Sequence, residues 1–243
     1  MYLHGKRVWD YNFLLEHHLF DAGNGRESVL IHEIYHTLSA PDLYTGYNNM
    51  NPVGTWCMMA SNTLPPQSSL AYVTHHYGRF IADIPEITSP GTYTLYDSWD
   101  RDENRPVAYK ITSPTSKDGE FFVFEYRRKN GGKKYENNIP NQGIIITRIN
   151  PTKDGNMGSD GDTQPYGVYV YRQNGTNTSN GNISNASFSS TGLAAFGTTY
   201  STSSLPAFLS NNSEDGLNGI VITNFSAAGN TTMTFDVVFP INK

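Results

Sequence analysis

Beyond Pro85 the chain carries a series of short runs rich in β-branched and aromatic residues, with no helical pattern between them. The runs are GTYTLYD, VAYKITS, EFFVFEYRR, QGIIITRIN, GVYVYRQ, GIVITNFSA and MTFDVVFP, separated by Gly, Pro, Asn and Asp. Residues of this kind suit a pleated, half-buried surface, and the separators supply the reversals between strands. Without helices to act as crossovers, the expected arrangement is an antiparallel sandwich and not a parallel sheet.

Ahead of Pro85 the pattern is different. ESVLIHEIYHTL places Val29, Leu30, Ile31, Ile34, Tyr35 and Leu38 so that a mostly buried helix is expected. Asn24 and Glu27 form a capping pair for its start. A second helix is expected over residues 68–81, where Leu70, Tyr72, Val73, Tyr77, Phe80 and Ile81 recur after Pro65-Pro66. The chain therefore reads as α+β, with a first domain over residues 1–84 and an antiparallel β-sandwich over residues 85–243.

Charge and hydropathy exclude several classes of function. The net charge is −5 and the pI about 5.8, with no basic run able to follow a phosphate backbone, which counts against nucleic acid as a partner. No segment approaches the ~20 consecutive apolar residues of a membrane span. The start, MYLHGKRVWDYNF, shows no secretory signal. Cys57 is the single cysteine, so no internal disulfide forms. Between residues 151 and 243 only Lys153, Arg172 and Lys243 are basic, and the Ser/Thr/Asn/Gly-rich composition reads as an exposed, loop-rich β surface.

The chemistry concentrates in SVLIHEIYHTLSAPDLYTG, residues 28–46. On a helix, positions four apart lie one above the other, so His32 and His36 project from one face and can share a Zn²⁺. Glu33 sits one step round, where a general base would act on a metal-activated water. A tetrahedral catalytic zinc needs a third protein ligand, and Asp42 follows His36 by six residues; Pro41 stops the helix so that the chain can turn back.

The spacing His-Glu-x-x-His-x-x-Ser-x-x-Asp resembles the metzincin metalloproteases, in the branch with aspartate as third ligand. HEIYHTLSAPDLY is similar to the corresponding stretch of the immune inhibitor A-like secreted metalloproteases, peptidase family M6. PVGTWCMMASN resembles the family's segment bearing the Met-turn. PPQSSLAYVTHHYGRFI, IPEITSPGTYTL, EFFVFEYRRKNGGKKYENNIPNQGIIITRIN and GVYVYRQNGT are similar to the helix and β region that follow. The resemblance implies His32, His36 and Asp42 as zinc ligands, Glu33 as general base, and Met59 as the apolar floor of a Met-turn. It implies a secreted zinc endopeptidase acting on protein or peptide substrates, built as the C-terminal part of a metzincin-like catalytic domain followed by the sandwich. Two departures stand out. Ser39 takes the place of the family's glycine, where a left-handed backbone is expected. Only 31 residues precede His32, too few for the sheet that such domains carry there, so the chain reads as the zinc-helix portion of a longer protease.

Other residues read more simply. The pairs His17-His18 and His75-His76 are surface histidines, because neighbours on a helix point about 100° apart. Cys57 reads as a structural buried thiol, and Tyr44, Tyr47 and Trp56 as core packing in preference to cleft lining. Lys153–Asp162, with Asp154, Asp160 and Asp162, is a candidate Ca²⁺ turn that fails the EF-hand pattern and reads better as a solvated turn. Two other classes of function compete with the peptidase: a non-catalytic extracellular binding or adhesion module with a vestigial zinc site, and a domain in which zinc is purely structural and closed by a fourth ligand such as Cys57 or His75.

Overall fold

The computed structural model describes residues 2–7, 12, 16, 26–46, 48–100, 102, 104–112, 119–129, 135–157, 166–175, 179–197 and 219–239. His17, His18, Asn24, Tyr47, Asp160 and Asp162 lie outside the described residues. The described chain is mostly β, with few helices and antiparallel pairing within its sheets. A two-stranded ladder pairs β1 (Tyr2–Leu3) with β2 (Lys6–Arg7). Helix α1 spans Arg26–Thr37 and helix α2 spans Ala71–His76. Seven strands follow: β3 (Gly91–Tyr96), β4 (Ala108–Thr112), β5 (Phe121–Arg127), β6 (Gly143–Ile149), β7 (Val168–Val170), β8 (Val221–Thr223) and β9 (Thr232–Val238). They form a four-stranded sheet in the order β4-β5-β6-β7 and a three-stranded sheet in the order β3-β9-β8.

Strand alternation explains the layering. On β9, Met233, Phe235 and Val237 are buried while Thr232, Thr234 and Asp236 are more open, the period-2 pattern of a sheet with one face covered. Those three side chains meet Leu95 from β3, Phe122, Phe124 and Tyr126 from β5, and Ile144 and Ile146 from β6 in one apolar core between the sheets. The four-stranded sheet is buried on its other face as well. Val123, Ile145, Ile149, Val168 and Val170 pack there against Tyr35, Leu43, Trp56, Met59, Leu70 and Val73, so residues on both sides of position 85 share a second core. That central sheet is why β6 and β7 are buried at every position.

Several expectations need correction. Helix α1 is half-buried and not mostly buried: Ser28, His32 and Tyr35 face inward, whereas Ile34 and Leu38 are exposed. Helix α2 covers only six residues of the expected 68–81. Both Tyr77 and Gly78 donate to the Val73 carbonyl, and Arg79 follows with φ of 53°, so the chain leaves the helix there. The part beyond residue 151 is not simply an exposed surface. Tyr166, Tyr169, Phe188 and Phe225 are buried in the core, and Arg172 is buried as well, its guanidinium donating to the carbonyls of Pro52, Val170, Asn51 and Asn180.

Candidate metal centre

Helix α1 ends in a way that brings its histidines and Asp42 together. Ala40 N–H donates to the Tyr35 carbonyl at 2.9 Å and Ser39 N–H to the His36 carbonyl at 2.8 Å. This is the paired capping pattern in which the residue after the helix adopts a left-handed backbone. Ser39 is that residue, with φ of 70°, as its position in the sequence leads one to expect. Pro41 follows, and the chain doubles back so that Asp42 faces the two imidazoles.

The imidazole Nε2 atoms of His32 and His36 lie 3.1 Å apart, and Asp42 Oδ1 lies 3.2 Å from the first and 3.3 Å from the second. Ligand atoms bonded at about 2.0–2.1 Å to a tetrahedral zinc are separated by about 3.3–3.4 Å along each tetrahedral edge, so the triangle has the size of one face of that tetrahedron. The outer ring nitrogens are engaged elsewhere: His32 Nδ1 is 2.9 Å from the Met58 carbonyl and His36 Nδ1 is 2.8 Å from the Ala40 carbonyl. A carbonyl only accepts, so each Nδ1 must carry the proton, and in the neutral rings both Nε2 lone pairs point inward. With both imidazoles neutral, Asp42 Oδ1 is buried with no hydrogen-bond donor among the described residues. Three electron-pair donors thus converge on one point, an arrangement that could hold a cation. The residues present fit a zinc ion.

Protons compete for the same place. Burial pushes the His32 pKa down, but Asp42 and the Met58 carbonyl more than offset it, and the net shift is upward from 6.5. Burial likewise pushes Asp42 up, and hydrogen bonds from His32 and Tyr44 reverse this, leaving it below 3.8. Among the described residues His32, His36 and Asp42 are the only group of His, Cys, Asp or Glu side chains that could hold a metal, so no fourth side chain of these types closes the set. Glu33 is partly exposed on the same helix, near enough for its charge to act on both His32 and Tyr44.

The remaining candidates separate clearly. Met59 is fully buried in the second core. It sits in a tight turn where Ala60 and Ser61 N–H both donate to the Cys57 carbonyl, and its own carbonyl accepts from Leu43 N–H at 2.8 Å. Cys57 is buried and its thiol is pushed up to about 11 by that burial, so it stays protonated and inert. His75 turns Nδ1 to the Ile81 carbonyl, and His76 is exposed. Trp56 is core packing, its indole N–H donating to the Ile183 carbonyl at 2.7 Å. Tyr44 is not core: it is 39% exposed, and its hydroxyl donates to Asp42 Oδ2 at 3.0 Å. In the candidate Ca²⁺ turn, Asp154 is exposed, yet Gly155 and Asn156 are buried, which corrects the solvated reading at those two positions.

Sequence reasoning missed the groups that orient the ligands: the Met58 and Ala40 carbonyls, the Tyr44 hydroxyl and Asn156. The carbonyls had no signal to find, since any residue supplies one. A cavity of about 280 Å³ also lies alongside, lined by Ile31, Tyr35, Met58, Phe80, Ile81 and Trp99 among others.

Compared with known proteins, the chain matches no family model, no curated protein and no solved structure.

Proposed function

We propose that the chain is a zinc-dependent endopeptidase of the immune inhibitor A-like type, acting on proteins or peptides outside the cell. The convergence of the His32, His36 and Asp42 lone pairs, with both Nδ1 protons held by backbone carbonyls, carries this reading. A bound zinc supplies Lewis acidity, polarising a carbonyl and lowering the pKa of water to about 7. His32, His36 and Asp42 would hold the ion, and among the described residues no fourth His, Cys, Asp or Glu side chain joins them. Glu33, whose charge reaches His32, would take the proton from the attacking water and pass it to the leaving amine as the C–N bond breaks. The apolar cavity lined by Ile31, Tyr35 and Met58 offers burial to an apolar substrate side chain.

A purely structural zinc is disfavoured because the two side chains that could have closed the site are engaged elsewhere, Cys57 in the core and His75 on Ile81. The test is the zinc content of the purified chain and of Glu33→Ala, with casein hydrolysis assayed on both. One zinc per chain in each, with hydrolysis lost only in Glu33→Ala, is the expected result. Zinc without hydrolysis in the unchanged chain would favour the binding module with a non-catalytic site, and no zinc at all would overturn the reading.

A further inference from the structure

We infer that Asn156, carried on the turn after β6, is a positioning residue that holds Asp42 in place as the third metal ligand; this rests on the metal-site reading above. The turn lies 114 residues from Asp42, in the stretch Lys153–Asp162 whose composition suggested only a Ca²⁺ or solvated turn. Yet Asn156 is fully buried, and its backbone N–H and both ends of its side-chain amide are engaged. Its backbone N–H donates to the Asp42 carbonyl at 3.0 Å. Its side-chain amide donates to the Leu43 carbonyl at 2.9 Å and to the Val168 carbonyl at 2.7 Å, and its Oδ1 accepts from Val168 N–H at 2.9 Å. Its side chain therefore bolts Leu43, the neighbour of the ligand Asp42, to strand β7, while its backbone N–H holds Asp42 itself.

The opposite edge of the strip is fastened too. Leu43 N–H donates to the Met59 carbonyl at 2.8 Å, and the neighbouring Met58 carbonyl is the partner of His32 Nδ1. Gly155 lets the turn approach this closely: at φ of 72°, a Cβ there would lie 2.5 Å from the Asp42 carbonyl oxygen and 2.7 Å from Pro41 Cβ. Helix α1 sets the spacing of the two histidines by itself, but the chain from Ser39 to Asp42 has no regular structure to locate a carboxylate. The sheet supplies that location through Asn156.

The experiment measures zinc affinity by chelator competition, and the visible spectrum of the Co²⁺-substituted protein, for the full chain, Asn156→Ala, Asn156→Ser and Val123→Ala. Val123, on β5, is buried in the same core but belongs neither to the Asp42-Leu43 strip nor to its anchor, so Val123→Ala controls for lost stability. Asn156→Ala is expected to weaken zinc binding by about 10–100-fold, the range for lost partners of metal ligands, and to alter the Co²⁺ bands that report ligand geometry. Asn156→Ser gives the same comparison if the alanine variant does not fold. Val123→Ala should keep the unchanged spectrum and an affinity within about twofold of the parent, well inside that range. Zinc binding and spectrum unchanged in the Asn156 variants, or weakened equally in Val123→Ala, would overturn the inference while leaving the metal site intact. No zinc uptake by the unchanged chain would instead overturn both.

Discussion

The Tyr44 hydroxyl donates to Asp42 Oδ2 at 3.0 Å, while the other carboxylate oxygen, Oδ1, faces both histidine Nε2 atoms. The carboxylate is thereby divided between one oxygen committed to Tyr44 and one turned to the imidazoles, where the proposed metal would sit. Tyr44→Phe removes the hydrogen bond and little volume, freeing Asp42 to rotate. Zinc affinity should fall by about tenfold, the low end for the loss of a ligand's partner, because the backbone of the Asp42 strip remains held. Chelator competition checks it; an affinity equal to the parent's would show that Tyr44 does not orient Asp42.

The zinc-free protein should lose stability as pH rises across neutrality. His32 has its folded pKa raised above 6.5, so its pairing with Asp42 contributes fully below 6.5 and is lost as pH climbs through the raised value. Asp42 has its pKa lowered below 3.8, so on the acid side its contribution disappears only as pH falls through that lowered value. In chelator, the difference in Tm between the parent and Asp42→Asn is therefore expected to be larger at pH 6 than at pH 8. Zinc needs the deprotonated rings, so the rise in Tm on adding zinc should follow the opposite trend. A zinc-induced rise that is greater at pH 6 would contradict this account.

Ser39 stands where the helix cap needs a left-handed backbone, at φ of 70°. That conformation costs a non-glycine residue about 1–2 kcal/mol. Glycine adds about 0.4–1 kcal/mol of unfolded-state entropy in return. Since the Ser39 side chain is exposed, Ser39→Gly should yield a net stabilisation of up to about 1.6 kcal/mol with zinc binding unchanged. Urea unfolding measures it, and a destabilised variant would mean that the serine side chain supports the turn.

Arg127 links the central sheet to the segment from Trp56 to Met59. Its guanidinium is fully buried, donating to Glu136 at 2.8 and 2.9 Å, to Glu125 at 3.1 Å and to the Trp56 carbonyl at 2.8 Å. Glu125 in turn accepts from Ala71 N–H at the start of α2, and Glu136 from Ser68 N–H. Arg127→Met leaves two carboxylates buried without their cation and should cost about 3–5 kcal/mol. Adding Glu125→Gln and Glu136→Gln should recover part of that loss. Equilibrium unfolding of the single and triple variants tests both expectations; a loss below 1 kcal/mol in Arg127→Met would refute the first, given the size expected for a broken buried pair.

Much of this was legible in the residues. The His32-His36 spacing needs only the helical repeat to place two imidazoles on one face, and Pro41 announces the reversal that returns Asp42, although Ser39 stands where glycine is expected. The antiparallel strands followed from side-chain type and turn residues, both local properties. Helix α2 was overextended because apolar spacing alone does not say that Gly78 and Arg79 end it.

What the sequence determined by itself is the candidate donor set: His32 and His36 one helical turn apart, Glu33 beside the first, and Asp42 after the reversal. Only the tertiary structure decided how those donors are aimed. The Met58 carbonyl on His32, and Asn156 joining Asp42 and Leu43 to β7, depend on chain segments from 26 to 114 residues apart meeting at hydrogen-bond distance. Such meetings follow from how the central sheet buries both its faces, and no local pattern of side chains encodes them.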